Sequence, residues 1–289
     1  MTLELPDING ILEKLMPLES SFDSRTRTIE EWIKEQRNQI IKNLVLIQNP
    51  SDENDMKVLL IFFRELLMRN IVGEAGERLH RKLSEIVQTK DDLTQENYER
   101  ALEQADYRWG KSIGSSVMTA VVAYFRDELN WNWQEYLRQA EQEKELNFFA
   151  DPLRKIKYVG PKVRDLALSN FNSNYAAFDL HVIRVVSRIG LVAYGWDLTK
   201  DAGVDFGTNP SDEENYLFFR RLFLKLANLS GGFTPVDLDR TFWHLGRHKC
   251  GKTTECASCP INDVCLTGKH RNQTTQRLRE NPDRARFTT

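Results

Sequence analysis

All cysteines of this chain, four in number, fall within residues 250–265, and this concentration constrains the chain more than any other feature. Their spacing is C-x5-C-x2-C-x5-C, and they are Cys250, Cys256, Cys259 and Cys265. The polar segment that carries them is too tightly looped to form two ordinary structural disulfides. Four thiolates in one short loop suit a cubane iron–sulfur cluster or a tetrahedral zinc ion.

The spacing also separates these two metals. Structural zinc usually takes its thiolates from two C-x2-C pairs, whereas this segment holds one such pair, Cys256 and Cys259. We therefore predict a [4Fe–4S] cluster bound by all four cysteines, with zinc as the first alternative and disulfides as the second. Because four thiolates would cap all four irons and leave none open to a substrate, we expect the cluster to be structural.

The cellular compartment follows from the same thiols. The N-terminal sequence MTLELPDINGILEKL lacks a basic region followed by an apolar run, so we expect no signal peptide. The longest apolar stretch, residues 58–63, is far too short to span a bilayer. We therefore expect a protein that is not secreted, has no membrane partner, and works in the cytoplasm or another reducing intracellular compartment.

Helical periodicity dominates the chain and strand patterns are scarce, so the predicted fold class is all-α. Ser51 is a candidate N-cap, and either Asp91 or Thr94 starts the fourth helix. His244 and His248 stand four residues apart, but Leu245 replaces the glutamate of H-E-x-x-H, so we assign them to a polar helix end beside the cysteines. The predicted helices are 28–46, 55–71, 74–87, 91–101 or 94–101, 115–129, 132–145, 152–158, 162–170, 181–191, 214–229 and 235–245.

The segment 152–170 carries the most specific pattern outside the cysteines. It predicts two helices joined by the tight turn I-K-Y-V-G-P-K, which ends at Lys162. Backbone N–H groups at the start of the second helix form an anion site, and a basic residue beside them suits a DNA phosphate. Asp179 follows seventeen residues after Lys162, at the start of another predicted helix.

Net charge alone does not favour a nucleic-acid partner, because it is −2. The distribution of charge is more informative. From residue 268 to 289, six basic side chains stand against two acidic ones, so residues 269–289 form a basic tail. This tail is either a DNA-contacting arm or a solvated terminus.

These patterns together resemble the helix-hairpin-helix DNA glycosylases, and in particular the endonuclease III-like members with a C-terminal iron–sulfur loop. In that family a hairpin L-P-G-V-G-x-K is followed by V-D-T-H, where this chain has Y-V-G-P-K and F-D-L-H. The sequence F-W-H-L-G-R-H-K-C at 242–250 resembles the family's approach to its first cluster cysteine. The similarity extends from about Trp109 to Cys265.

The resemblance implies two helical domains with a DNA-binding groove between them. Residues 48–179 would form a six-helix barrel with the helix-hairpin-helix near 152–170. Residues 1–47 and 180–268 would form the iron–sulfur domain, whose cluster loop is 250–265. The partner would be double-stranded DNA that contains a damaged or modified base, bound by a monomer.

The resemblance also implies residue roles. Lys162 aligns with the nucleophile that forms a Schiff base with the sugar, and Asp179 aligns with the carboxylate that assists it. The activity implied is base excision with associated apurinic-site lyase chemistry. DNA contacts would come from the hairpin and from basic residues beside the first cysteine, namely Lys157, Tyr158, Val159, Gly160, Arg164, Lys249 and Lys252.

The chain differs from the family at several positions. Tyr158 replaces the first hairpin glycine, Arg164 replaces a small residue, and residues 68–71 do not match the polar stretch near the family's base pocket. Five residues rather than six separate the first two cysteines. The alternatives that stay open are a glycosylase without lyase activity, in which Asp179 activates water, an iron–sulfur DNA-binding protein without catalysis, and a zinc-stabilised helical adaptor.

Overall fold

A computed structural model describes residues 7–22, 24–68, 73–143, 151–191, 213–251 and 254–270. These residues are mainly helical and contain one two-stranded sheet, so the all-α prediction is confirmed. In the parts of the chain described, every helix is too short or too polar to cross a bilayer. The elements are α1 (Ile8–Leu15), β1 (Glu19–Phe22), β2 (Arg25–Thr28), α2 (Ile29–Gln48), α3 (Asp52–Leu66), α4 (Gly73–Ile86), α5 (Gln95–Gln104), α6 (Lys111–Ala123), α7 (Trp133–Glu143), α8 (Pro152–Lys155), α9 (Pro161–Leu168), α10 (Leu180–Ile189), α11 (Glu213–Leu229) and α12 (Pro235–His248).

The chain divides into two compact units. One comprises residues 35–177, and the other joins the two ends of the chain, residues 1–34 and 178–289. We call them the hairpin unit and the cysteine unit, after the helix-hairpin-helix and the cysteine segment that they contain. The predicted boundaries at 48 and 179, and the predicted DNA groove, stay predictions.

The hairpin unit is built around aromatic side chains. Phe62, on α3, is fully buried, and its ring centroid lies 5.4 Å from that of Trp133 and 5.4 Å from that of Phe171. The ring of Phe125 packs 4.1 Å from that of Trp133. Burial of large aromatic rings is the main source of stability in such a core. It fixes α9, which packs on α3 and carries Lys162.

The cysteine unit has α12 at its centre. This helix packs against α1, β1, α10 and α11. Phe223 lies between Phe178 and Phe242, with ring centroids 4.7 Å and 5.9 Å away. Thr234 caps the start of α12 in a reciprocal capping box with Asp237. The start of α12 is therefore fixed, and its last turn leads directly to Cys250.

Several local predictions are confirmed and others need correction. The Ser51 and Thr94 hydroxyls accept the backbone N–H groups of Asn54 and Asn97, as caps of α3 and α5. Helix α6 begins at Lys111 rather than at residue 115, because Gly110, with φ +82°, already ends the preceding turn. Helix α8 stops at Lys155. Residues 69–71 of a predicted helix lie outside the described residues.

Candidate functional site

The four cysteines meet at one pocket in the cysteine unit. Cys250, Cys256, Cys259 and Cys265 all line a space of about 360 Å³ that is partly open to solvent. A bridge between Cys250 and Thr254 and a short 3₁₀ turn over Cys256–Ser258 fold the segment back on itself. Leu245 and Ile261, both buried, form part of the apolar wall. The segment thus directs four sulfur ligands at a shared volume.

Arg188, on α10, connects both ends of this segment. Its Nη1 donates to the carbonyl oxygens of Cys250, at 3.1 Å, and Gly251, at 2.6 Å, and lies 3.5 Å from Cys250 Sγ. The carbonyl oxygen of Arg188 accepts from Cys265 Sγ at 3.2 Å and from Thr267 Oγ1 at 3.0 Å. One residue of a helix therefore positions the first and the last cysteine.

Burial sets the protonation of these thiols. It raises the pKa of Cys250 and of Cys259, and raises the pKa of Cys265 to about 12. In the absence of a metal these three groups are therefore thiols at neutral pH. A metal would bind their thiolate forms and release protons.

The charges around the pocket fit an anionic group. Arg184 and Arg188 are 8% and 3% exposed, and among the described residues no carboxylate forms an ion pair with either. Burial, followed by the charge of Arg188, lowers the pKa of Arg184. A cluster with four thiolates carries net negative charge and would compensate Arg188, which lines the pocket.

The arrangement of the ligands bears on the kind of metal group. Within the described ranges, no three His, Cys, Asp or Glu side chains are grouped closely enough to ligate one metal ion. In a cubane cluster each thiolate binds a different iron, so its donor set would be four cysteines around one pocket, and four cysteines line this one.

The helical hairpin is formed by α8, a short turn and α9. Asp151 caps α8 by accepting the N–H of Leu153 at 2.8 Å, and Arg154 Nη1 donates to the carbonyl of Val159 at 2.7 Å. Tyr158 has φ +75°, in the left-handed region where glycine is favoured and other residues are strained. Tyr158 therefore occupies a position whose backbone conformation is the one that the family's glycine suits.

The remaining residues of the helical hairpin lie where a ligand could reach their side chains or their protein backbone. Lys162 is half-buried in the first turn of α9, after the N-cap Gly160. No atom lies within 4 Å of a Cβ placed on Gly160, so the turn is open at that point. Lys157 is exposed, with its Nζ 5.0 Å from the ring centroid of Tyr158. Val159 has a buried side chain, so any contact with DNA would use its backbone.

Arg164 requires a correction. It was predicted to contact DNA, but its side chain is fully buried. Its Nε and Nη2 donate to Asp151 Oδ2 at 2.9 Å and 2.6 Å, and Nη1 pairs with Asp165 at 2.5 Å. Its guanidinium also stacks on the ring of Tyr175. Arg164 therefore joins the two hairpin helices from inside instead of facing a ligand.

Asp179 belongs to the cysteine unit and begins α10. Its Oδ1 accepts the backbone N–H groups of His181 at 2.8 Å and Val182 at 3.1 Å. This is a complete N-cap, and it accounts for an acidic residue here without any catalytic role. A test of Asp179 must therefore remove its charge and keep its cap.

The other predicted DNA contacts lie near the cysteines or beyond the described residues. Lys249 is half-buried, and its Nζ pairs with Glu255 at 2.8 Å. Lys252 lies outside the described residues, as do residues 271–289 of the basic tail. His244 corrects the assignment of a polar helix end, because it is buried, with Nδ1 2.6 Å from Ser20 Oγ.

The fold and its two sites define a mainly helical protein of two units, with a helical hairpin in one and a four-cysteine pocket in the other. No protein-family model and no curated protein matches the sequence. Among solved structures, the chain is similar to endonuclease III trapped as a covalent intermediate with DNA, in an estranged-adenine complex. The match has a TM-score of 0.51 and 16% identity, over 83% of this chain and 98% of that chain. The chain therefore has an endonuclease III-like fold, as the sequence resemblance predicted.

Proposed function

We propose that this protein is a DNA glycosylase with apurinic-site lyase activity that excises a damaged or modified base from double-stranded DNA. The observation that carries the proposal is the fold, because the similar structure is an endonuclease III held covalently on DNA. The hairpin that opens at Lys162 and the pocket shared by four cysteines add support from this chain's own residues. The protein would act as a monomer in a reducing intracellular compartment.

The proposed chemistry assigns one step to each of two residues. The target nucleotide first leaves the helical stack. The neutral amine of Lys162 attacks C1′ of the sugar, the bond from C1′ to the base breaks, and the base departs with a proton. The carboxylate of Asp179 stabilises the positive charge that builds on the sugar.

Strand cleavage follows from the covalent intermediate. The bond from C1′ to the ring oxygen O4′ then breaks, and O4′ leaves with the electron pair and takes up a proton. This ring opening gives an iminium ion between Lys162 and C1′, which makes the C2′ proton acidic. Loss of that proton expels the 3′ phosphate with the electron pair of its C–O bond. Water then hydrolyses the imine and releases the Lys162 amine.

The proposed cofactor is a [4Fe–4S] cluster held by Cys250, Cys256, Cys259 and Cys265. It would supply structure rather than chemistry, because all four irons would have a protein ligand. Arg188, which lines the pocket, would face its negative charge. A blue–violet absorption band from the purified protein, with about four irons per chain, is the expected signature, whereas bound zinc without that band would favour the zinc-stabilised adaptor.

Borohydride trapping tests the activity directly. The duplexes would carry an abasic site, oxidised pyrimidines, oxidised guanine or no damage. We expect the wild type to form a reduced covalent adduct at the abasic site and Lys162→Ala to form none. Borohydride reduces an iminium that forms from an amine, and alanine has no side-chain amine. The set of duplexes then ranks the substrates.

Two matched variants make this test specific. Lys155→Ala removes an exposed lysine from the same hairpin and should trap like the wild type. Asp179→Asn keeps the cap, since asparagine is an equally good N-cap, and removes the charge, so slower trapping would reflect chemistry.

Undiminished trapping by Lys162→Ala would remove Lys162 from the mechanism. Base release without an adduct would favour a glycosylase without lyase activity, and DNA binding without any product would favour a non-catalytic protein.

A further inference from the structure

Gly246 is a buried glycine inside α12, in the cysteine unit. Its backbone is helical, so it is not required for a left-handed conformation. Glycine within a helix is unfavourable relative to alanine, because it loses more conformational freedom on folding. A glycine at such a position therefore indicates that another part of the chain comes too close for a side chain.

The part that comes close is the first turn of α10. A Cβ placed on Gly246 would lie 2.7 Å from the carbonyl oxygen of His181, and 3.0 Å from its carbonyl carbon and from its Cβ. A real Cβ essentially never approaches another heavy atom below 3.0 Å. The nearest two of these atoms belong to the backbone, so they cannot swing aside as the end of a flexible side chain could. A side chain at position 246 would therefore push the first turn of α10 away from α12.

Two further contacts hold the same turn against α12. The Nδ1 of His181 lies 3.2 Å from the carbonyl oxygen of Gly246, and because a carbonyl only accepts, Nδ1 is the donor. The ring of His181 also meets the ring of Trp243 edge-on, with the two centroids 6.4 Å apart. Trp243 lies one turn before Gly246 on α12. His181 is thus held through its backbone and through its ring.

The candidate carboxylate depends on this turn. Asp179 Oδ1 accepts the backbone N–H groups of His181 at 2.8 Å and of Val182 at 3.1 Å, so the same backbone that Gly246 contacts also holds the carboxylate. Near the other end of α10, Arg188 donates to the carbonyl oxygens of Cys250 and Gly251, in the segment that follows α12. A shift of the first turn of α10 would therefore carry the Asp179 carboxylate with it.

We propose that Gly246 is a positioning residue for the glycosylase reaction. Its missing side chain lets α12 fix the first turn of α10, and thereby holds the Asp179 carboxylate where positive charge builds on the sugar. This inference rests on the proposed function, and it adds to that function a residue that acts through Asp179. A misplacement of about 1 Å in a reacting group can slow a reaction by about 100-fold, so a close contact of this kind is sufficient to affect the rate.

The test is the rate of borohydride trapping on the duplex that the wild type prefers, with enough protein to saturate the DNA. We expect Gly246→Ala to slow this rate by about 10- to 100-fold. In a protein that already carries Asp179→Asn, the same change should slow the rate by about twofold or less, because the charge that Gly246 positions is gone. A merely structural defect would slow both proteins by the same factor.

Gly114 provides a matched control in the hairpin unit. It is also a buried glycine inside a helix, α6, and a Cβ placed on it would lie 2.7 Å from Cδ1 of Leu102. Gly114→Ala should lower the temperature of thermal unfolding, because it crowds a packed core. Below that temperature, its trapping rate should equal that of the wild type.

The outcomes separate this inference from the proposed function. If the wild type traps normally and Gly246→Ala traps equally fast, the inference is overturned and the glycosylase proposal stands. Equal slowing with and without the Asp179 carboxylate, or equal slowing by Gly114→Ala, would also overturn it. A wild type that forms no adduct on any duplex would overturn the proposed function and this inference with it.

If Gly246→Ala does not fold, two variants of His181 decide the question. His181→Leu removes the donor to the carbonyl oxygen of Gly246, whereas His181→Asn keeps an N–H group close to the position of Nδ1. We expect His181→Leu to trap more slowly than His181→Asn at saturating protein. Equal trapping rates in these two variants would overturn the inference.

Discussion

Two buried arginines show how differently the two units handle charge. In the hairpin unit, Arg164 is paired with the carboxylates of Asp151 and Asp165, so its charge is compensated by the chain itself. In the cysteine unit, Arg188 donates to carbonyl oxygens and to a cysteine sulfur, none of which is a carboxylate.

This difference indicates whether each unit compensates its buried positive charge with its own carboxylates. A buried cation is stable only beside enough negative charge or hydrogen-bond acceptors. The hairpin unit supplies that charge internally and needs no ligand to do so. In the cysteine unit, carbonyl acceptors hold Arg188 at the wall of the pocket with four cysteines, so an anionic group bound there would compensate its charge.

Replacing Arg164 should give the largest loss of stability. Arg164→Met leaves two buried carboxylates without their cation, for which we expect a loss of about 3–5 kcal/mol in unfolding free energy. Urea unfolding measures it. Arg138→Met, which breaks an exposed pair with Glu135, serves as the control and should change stability little.

A second substitution sharpens this result. Adding Asp151→Asn to Arg164→Met removes one of the stranded charges, so part of the lost stability should return. If the double variant is as unstable as the sum of both single changes, the pair is not the unit that we describe.

Replacing Arg188 should give a smaller loss of stability, and its effects should differ between the protein with and without the proposed cluster. Without iron, Arg188→Met deprives two carbonyl groups of their donor, for which we expect about 1–3 kcal/mol. With the proposed cluster bound, the variant should also lose iron faster in air, because a cation beside the anionic group is gone. The absorbance of the cluster over time measures this effect, with Arg188→Lys as the charge-retaining control. Equal rates of iron loss in all three proteins would separate Arg188 from the cluster.

Tyr158 should give the smallest effect, and a matched pair of substitutions isolates it. Tyr158→Ala and Tyr158→Gly both remove the ring, but alanine keeps the strain of a left-handed backbone. We therefore expect the glycine variant to be more stable than the alanine variant by about 1 kcal/mol. At Gly160, where φ is −81°, alanine should instead equal or exceed glycine. Thermal unfolding of the wild type and the three variants compares these changes in stability. If Tyr158→Ala is more stable than Tyr158→Gly, the backbone at position 158 is not strained.

The sequence predicted the long helices because their apolar periodicity is strong, and it predicted the caps at Ser51 and Thr94 from local chemistry. It missed the hairpin of β1 and β2. The strands E-S-S-F and R-T-R-T are short and mostly polar, so they show no alternating apolar pattern. Their position depends on contacts with Trp32 and α12, which no local pattern encodes.

The site was predictable to a similar degree. The spacing of the cysteines was sufficient to group them, and all four line one pocket. The burial of Arg164 was not predictable, because it depends on Asp151 across the hairpin and on the ring of Tyr175. A charged residue beside a candidate nucleophile suggests a ligand contact until its carboxylate partners are known.

The contact between Ser20 and His244 has a consequence for the order in which the chain assembles. The two residues are 224 positions apart, whereas Asp151 and Arg164 are 13 apart. A short loop closes at a small entropic cost, so the helical hairpin can form as soon as it leaves the ribosome. The β1–β2 hairpin is synthesised among the first residues, yet it must wait for α12 before its buried face has a partner. The beginning of the protein is therefore among the last parts to fold.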